Sequence, residues 1–159
     1  MRTLLVRAVL AIVAATGGVG ITAAAVPDPV IGTWQLNVSK STFTPGPAFK
    51  SQTRTYSQSG QSITLVIKTV GADGKEMTTQ TTYQLGGKDF PVTGNPDYDS
   101  LSGRQVDSNT AKFTLKKGGK AVGATTRTMS NDGKTLTVKA KLTTAKGEKS
   151  ESVMVFDKQ

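Results

Sequence analysis

The sequence predicts an all-β fold, a single antiparallel up-and-down β-barrel of about eight to ten strands. Apolar and polar residues alternate with period two through most of residues 31–156, as half-buried strands require. Turn-forming residues recur at about every eighth to twelfth position. No stretch has the 3.6-residue periodicity of a convincing amphipathic helix. Closing such a meander into a barrel removes its unpaired edges, which favours a barrel over an open sheet.

The N-terminal residues 1–25 have the pattern of a cleavable signal peptide. Arg2 and Arg7 precede an apolar run, and small residues end the segment at Ala25. We therefore predict cleavage near Ala25, a secreted or periplasmic protein, and one barrel domain at residues 26–159. The apolar run is too short for a membrane span, so we expect no stable membrane insertion after cleavage.

The composition excludes several kinds of chemistry. The chain has neither cysteine nor histidine, which rules out Cys nucleophiles, Ser-His-Asp triads, thiolate metal sites and imidazole bases. We predict a non-enzymatic protein with no cofactor and no metal. A carboxylate-based enzyme using Asp97 and Asp99 is an alternative, although nothing in the sequence fixes their separation.

The first predicted strand spans residues 31–38 and holds the single tryptophan of the chain, Trp34. Alternation places Trp34 on the same face as Gly32, Leu36 and Val38. A core tryptophan of a β-sandwich would give the same pattern.

A connection is predicted at residues 39–50, where the sequence Pro45-Gly46-Pro47 excludes a regular helix. Phe43 and Phe49 lie in this connection. They are either lid residues that touch a ligand or ordinary anchors that pack the loop onto the barrel.

The remaining chain alternates between strands and turns. Asp73-Gly74 predicts a tight hairpin, because Asp-Gly supplies the positive φ that such turns need. Pro91 makes residues 89–92 look like an edge strand, since proline cannot donate to a ladder. The further strands are predicted at residues 52–57, 62–70, 76–85, 89–92, 100–106, 111–117, 121–129, 134–142 and 150–156.

Gly32-Thr33-Trp34 at the start of the first strand resembles the signature of the calycins, which include the lipocalins and fatty-acid-binding proteins. The longer run 32–41, with 89–96 and 131–138, resembles a group of small secreted bacterial proteins of unassigned function. The calycin resemblance implies a lipocalin-like barrel whose closed end is plugged by Trp34. It also implies a basic residue from a late strand stacked on that ring, a role open to Lys158 or an arginine. A lipocalin has a helix after its eighth strand, and this chain ends in a strand.

The candidate ligand-binding residues follow from these patterns. Arginine holds a carboxylate or phosphate with two bonds, and Arg54, Arg104 and Arg127 all lie in predicted strands. Arg127 shares its parity with Met129, so it can point inward and clamp an anionic head group; the alternative is an outward arginine that solvates its strand. The candidate set is Trp34, Phe43, Tyr83, Arg104, Arg127 and Met129.

The leading prediction is an exported protein that carries or senses a small apolar or amphipathic ligand inside the barrel. Removing residues 1–25 takes away two of the 20 basic residues and none of the 11 acidic ones, which leaves a net charge of about +7. A basic outer face in weak contact with anionic envelope components is therefore the alternative function. Nucleic acid is not an expected partner, because the lysines lack interleaved aromatic residues. The apolar side chains that face inward either line a hollow barrel or fill a small one.

Overall fold

The computed structural model describes residues 26–159. The predicted signal peptide, residues 1–25, lies outside the described residues. Eleven strands and one short 3₁₀ helix, Val38–Lys40, make up the regular structure of residues 26–159. The strands are β1 (Gly32–Leu36), β2 (Thr42–Thr44), β3 (Ser51–Ser59), β4 (Ser62–Val70), β5 (Glu76–Tyr83), β6 (Asp89–Thr93), β7 (Ser100–Gln105), β8 (Thr110–Lys117), β9 (Lys120–Met129), β10 (Thr135–Thr143) and β11 (Lys149–Lys158).

Ten of these strands form a closed antiparallel ring. Each strand from β3 to β10 pairs with the next one along the chain, and β1 closes the ring by pairing with both β3 and β11. β2 pairs with the first part of β11, at Glu151–Val153, while β1 pairs with its last part. The prediction of an all-β, antiparallel up-and-down barrel of eight to ten strands is confirmed.

The first strand is shorter than predicted. After Leu36 the chain turns at Asn37, whose side chain accepts the Lys40 N–H and donates to Asp157 at 2.7 Å. These local bonds compete with the strand ladder and start the 3₁₀ helix. Val38 is consequently 38% exposed, so the prediction that it continues the inward face is wrong. The predicted connection at residues 39–50 contains β2, which the sequence pattern did not indicate.

β6 is an interior strand of the ring and not an edge. It pairs with β5 on one side and with β7 on the other, so the prediction of an edge-like strand at residues 89–92 is wrong. Pro91 is tolerated because its nitrogen faces β5, and the pairing of β5 with β6 reaches only Val92 and Thr93. The Thr81 hydroxyl also donates to the Pro91 carbonyl at 2.8 Å, which adds a side-chain bond at that point.

The two ends of the barrel differ. At one end the segment before β1 folds back over the barrel, and Val30 and Trp34 are fully buried there; we call this the closed half. The other end, which we call the open half, carries the five loops at residues 45–50, 71–75, 94–99, 118–119 and 144–148.

The core is most tightly packed in the closed half. Its largest fully buried side chains are Trp34, Tyr83, Phe156, Leu136, Val30 and Val138. Met77 and Leu142 also face inward, but they are only half-buried and border the cavity of the open half. Between residues 26 and 159 the structure contains no helix with the length and apolarity needed to cross a membrane.

Candidate functional site

Trp34 seals the closed half. Its indole N–H donates to the Val30 carbonyl at 2.7 Å, which ties the segment before β1 to the barrel wall. The Lys158 ammonium lies 5.2 Å from the ring centroid, a cation–π contact where the calycin resemblance implies a basic residue. Gly32 has a φ of +134°, and a Cβ there would lie 3.2 Å from Lys158 Cε. Glycine therefore suits both the backbone conformation and the close approach.

Arg127 points into the closed half and carries its own counterion. Its Nη2 lies 2.8 Å from Asp28 Oδ2, and the two side chains are only 4% and 10% exposed. Its Nη1 donates to the Tyr83 hydroxyl at 3.2 Å. The rings of Tyr56 and Phe113 each have their centroid 5.8 Å from the guanidinium carbon. This guanidinium is thus enclosed by a carboxylate, a phenol and two aromatic faces.

The titration of these groups follows from their burial. Burial raises the pKa of Tyr83 well above its ordinary value of 10.0, because the phenolate would lose its hydration. Burial alone would lower the pKa of Arg127, but Tyr83, Tyr56 and Asp28 more than offset this and the pKa is raised. Arg127 therefore stays a cation and Tyr83 a neutral phenol at physiological pH.

Removing the Tyr83 hydroxyl is expected to change how stability depends on alkaline pH. Because the folded pKa of Tyr83 is raised, its stabilising contribution is complete below pH 10 and is lost as pH rises towards the folded value. Above pH 10 this tyrosine lowers the free energy of unfolding by about 1.4 kcal/mol per pH unit. Tyr83→Phe should flatten the wild-type slope between pH 10 and 12 by about that amount, while costing about 1–2 kcal/mol at neutral pH through the lost bond to Arg127. Urea unfolding at several pH values measures both, and equal slopes in the two proteins would contradict the assignment.

Arg54 is the second arginine inside the barrel, and it is 9% exposed. Its Nε donates to Gln52 Oε1 at 2.9 Å, and the Gln52 amide donates in turn to Thr69 Oγ1 at 2.9 Å. The guanidinium carbon lies 4.9 Å from the centroid of the Phe156 ring. Within residues 26–159, no carboxylate lies within 4.0 Å of this guanidinium. Arg54 therefore has a fixed orientation but no counterion.

A cavity of about 220 Å³ occupies the open half and reaches inward to Arg54. A smaller void of about 60 Å³ lies deeper, and both spaces border Arg54, Ile67, Tyr98, Leu115 and Thr125. The prediction left open whether the interior is hollow; the open half is hollow, and the closed half is filled except for the void of about 60 Å³. The other residues lining the cavity are Phe49, Gln52, Thr69, Met77, Thr79, Asn95, Asp97, Ala140, Leu142, Ser150, Ser152 and Met154.

The lining of the cavity is both apolar and polar. Neighbouring strands β3, β4 and β5 supply the polar side chains of Gln52, Thr69 and Thr79. Apolar side chains such as Leu142 and Met154 come from β10 and β11. Apolar surface with a few polar groups is typical of small-molecule sites.

The predicted ligand-binding residues do not meet at one place. Trp34 and Met129 are buried in the closed half and do not border the cavity, and Tyr83 and Arg127 border the small void behind it. Phe43 packs on Phe49 with ring centroids 5.2 Å apart, so Phe49 and not Phe43 reaches the cavity. Arg104 is exposed on the outer face, because Gly103 takes the inward position of β7.

Two charged residues of the interior, Arg54 and Asp28, are missing from the candidate set. Arg54 shares its parity with the inward Tyr56, a signal that was present in the sequence of β3. Asp28 precedes the first strand, and no periodicity could place its carboxylate on Arg127. Among residues 26–159, no three His, Cys, Asp or Glu side chains lie close enough together to hold a metal ion.

The outside of the barrel carries a depression that is larger than the cavity of the open half. The depression, of about 470 Å³, lies at the closed end beside residues 26–29, and Asp28 is the one charged residue in its described lining. Since that carboxylate already binds Arg127, the interior is the better candidate site.

On the outer face, Lys116 pairs with Asp89 at 2.7 Å and Lys141 with Glu151 at 2.9 Å, which offsets part of the positive charge.

Comparisons with known proteins give structural likeness without a family. No protein-family model matches the chain, and no curated protein matches it. Among solved structures, the chain is similar to the redesigned beta barrel mFAP0 bound to DFHBI, with a TM-score of 0.45 and 14% identity over 82% of this chain and 99% of that chain.

Two further structures resemble the chain at comparable or lower TM-scores. EF1p2_mFAP2b bound to DFHBI has a TM-score of 0.45 and 12% identity over 82% of this chain and 94% of its own. The redesigned beta barrel mFAP1 bound to DFHBI has a TM-score of 0.40 and 13% identity over 82% and 95%. At these values the likeness carries no weight for the ligand, and the barrel is established by the strand pairing of the chain itself.

Proposed function

We propose that this chain is an exported, non-enzymatic binding protein that carries or senses a small amphipathic molecule in the open half of its barrel. The observation that supports this best is the cavity of about 220 Å³, which is lined by apolar side chains and by buried polar groups. A barrel that serves only as a rigid scaffold gains stability by filling such a space, because an empty cavity forfeits packing energy.

The arrangement around Trp34 supports a further proposal, that the chain is a calycin-like barrel. Gly32 with its positive φ, the buried Trp34 and Lys158 over its ring form one contact group at the closed end. In such a barrel the closed end provides stability and the opposite end receives the ligand. The residues beyond the predicted cleavage near Ala25 would then act outside the cytoplasm, in the periplasm or the medium.

The dimensions of the cavity limit the ligand. Its volume lies below the roughly 300–1,000 Å³ of sites for drug-sized molecules. We therefore propose a ligand with a short apolar body, such as a chain of six to ten carbons or a single ring system. A longer molecule would extend between the loops of the open half.

Binding is tested by titrating straight-chain amphiphiles of six to ten carbons while following heat release and thermal unfolding. A one-to-one ligand at a hundred times its Kd should stabilise the protein by about 2.7 kcal/mol, since it binds the folded state. Trp34 fluorescence is a poorer reporter, because this ring does not border the cavity.

A cavity-filling variant locates the binding site. Ala140 borders the cavity, so Ala140→Phe should abolish saturable binding and leave a folded barrel. Ala124 faces outward on the neighbouring strand β9, opposite Lys141, and Ala124→Phe is the matched control that should bind normally. If no amphiphile binds, the alternative function on the basic outer face gains support, and salt-sensitive binding to a polyanion tests it.

A further inference from the structure

We propose that the ligand of the open-half cavity is an organic monocarboxylate whose acid group binds Arg54. This inference depends on the proposed function and names the chemical class of its ligand. It follows from comparing the two arginines inside the barrel, of which one has a counterion and the other has none.

Arg127 and Arg54 are both buried, but within the described chain only Arg127 has a counterion. Arg127 is 3% exposed and has Asp28 at 2.8 Å. Arg54 is 9% exposed, and within the described chain its two Nη groups donate no hydrogen bond. Buried cations without a counterion are rare, because removing a charge from water is costly unless an opposite charge compensates it. The described residues therefore leave the positive charge of Arg54 without a counterion, and a bound anion would provide one.

The surroundings of Arg54 hold the guanidinium in place for a ligand. Gln52 accepts from Nε and is itself fixed by its bond to Thr69, while the Phe156 ring supports the guanidinium from one side. Only one of the five N–H donors of the group is used by these contacts. A carboxylate can accept two parallel hydrogen bonds from the remaining fork.

The rest of the cavity fits the body of such a ligand. Tyr98 borders both spaces next to Arg54, and burial raises the pKa of its phenol, which thus remains a neutral hydrogen-bond donor. Asp97 also borders the cavity, but it lies in the loop between β6 and β7, where it accepts the Ala145 N–H at 2.8 Å. It forms no ion pair with Arg54 within 4.0 Å, so it does not supply the missing counterion.

The test compares octanoate with octanol, which share an apolar chain and differ in charge. In the wild-type protein, calorimetry should give octanoate a Kd at least about tenfold below that of octanol. Arg54→Met should remove this preference by weakening octanoate binding at least about tenfold, with little effect on octanol. Arg104→Met, on the outer face, is the matched control and should leave both affinities unchanged.

Two further readouts separate a binding role from a structural one. Because Arg54 has no counterion, Arg54→Met without ligand should melt at or above the wild-type temperature. If Arg54 served to stabilise the fold, the same substitution would lower the melting temperature. In the wild-type protein, the ¹⁵N resonance of the Arg54 guanidinium should shift on adding octanoate and not on adding octanol.

The outcomes distinguish this inference from the proposed function. If octanol and octanoate bind the wild-type protein equally well, or if Arg54→Met retains the preference for octanoate, the Arg54 assignment is overturned while the carrier proposal stands. If neither compound binds and other short amphiphiles also fail, the proposed function itself is overturned.

Discussion

Replacing Asp28 by asparagine is expected to lower the free energy of unfolding by about 3–5 kcal/mol, because the change leaves the buried Arg127 cation without its counterion. The substitution keeps the size of the side chain and removes only its charge. A small domain has a total stability of about 5–15 kcal/mol, so a large part of it depends on this one carboxylate. Urea unfolding followed by Trp34 fluorescence measures the loss.

Two controls show whether the effect comes from the buried charge. Glu151→Gln breaks the ion pair with Lys141, whose side chains are 61% and 76% exposed, and should change stability by less than about 1 kcal/mol. The double variant Asp28→Asn with Arg127→Met should recover part of the loss, since no unpaired cation remains. A loss below about 1 kcal/mol for Asp28→Asn alone would show that the pair does not hold the closed half together.

Replacing Trp34 by alanine should be of similar severity, at about 3–5 kcal/mol. Trp34 has no exposed surface, and it is the largest fully buried side chain of residues 26–159. Its removal leaves a void at the closed end, and the Val30 carbonyl loses the indole donor. Unfolding must be followed by far-UV circular dichroism, because the variant lacks the fluorophore.

Graded variants separate the contributions around Trp34. Trp34→Phe retains most of the ring and should cost about 1–3 kcal/mol through the lost hydrogen bond and the smaller volume. Lys158→Met removes the cation–π contact of an exposed lysine and should cost about 0.5–1 kcal/mol. If Trp34→Ala costs no more than Lys158→Met, the tryptophan does not seal the closed half.

The fold could be predicted from the sequence because nearly every strand carries its own local signal. In β10, Leu136, Val138, Ala140 and Leu142 alternate with polar residues and do lie on the inner face. The Asp-Gly turns fix where hairpins reverse; at Asp132, for example, the carboxylate accepts the Lys134 N–H at 3.0 Å. Such signals lie within a few neighbouring residues, so they can be recognised in the sequence without knowledge of the fold.

The missed features depend on contacts between distant parts of the chain. β2 has only three residues, and its place is set by pairing with β11 more than a hundred positions later. Asp28 reaches Arg127 across 99 positions, and nothing in the local pattern around Asp28 indicates this.

The candidate site was predictable in part for the same reason. Parity with Met129 allowed an inward Arg127 but left an outward one open, and the structure places this side chain inside the barrel. Parity with Tyr56 would have allowed the same for Arg54. Parity could not show which arginine has a counterion, since that depends on Asp28. Parity also could not show which half of the interior is filled and which is hollow. Inward residues follow the same alternation whether they are fully buried in the core or half-buried at the cavity.

Single-cysteine labelling can show whether the open half of the barrel is hollow while the closed half is filled. The chain has no cysteine, so Met77→Cys, which borders the cavity and is half-buried, and Ala111→Cys, which is fully buried, each carry one thiol. Under native conditions a small methanethiosulfonate should modify Met77→Cys at least about a hundredfold faster than Ala111→Cys, which reacts only after the barrel opens. In urea both thiols should react at the same rate. Equal protection of both thiols in the folded protein would contradict the account and indicate a barrel that is filled throughout.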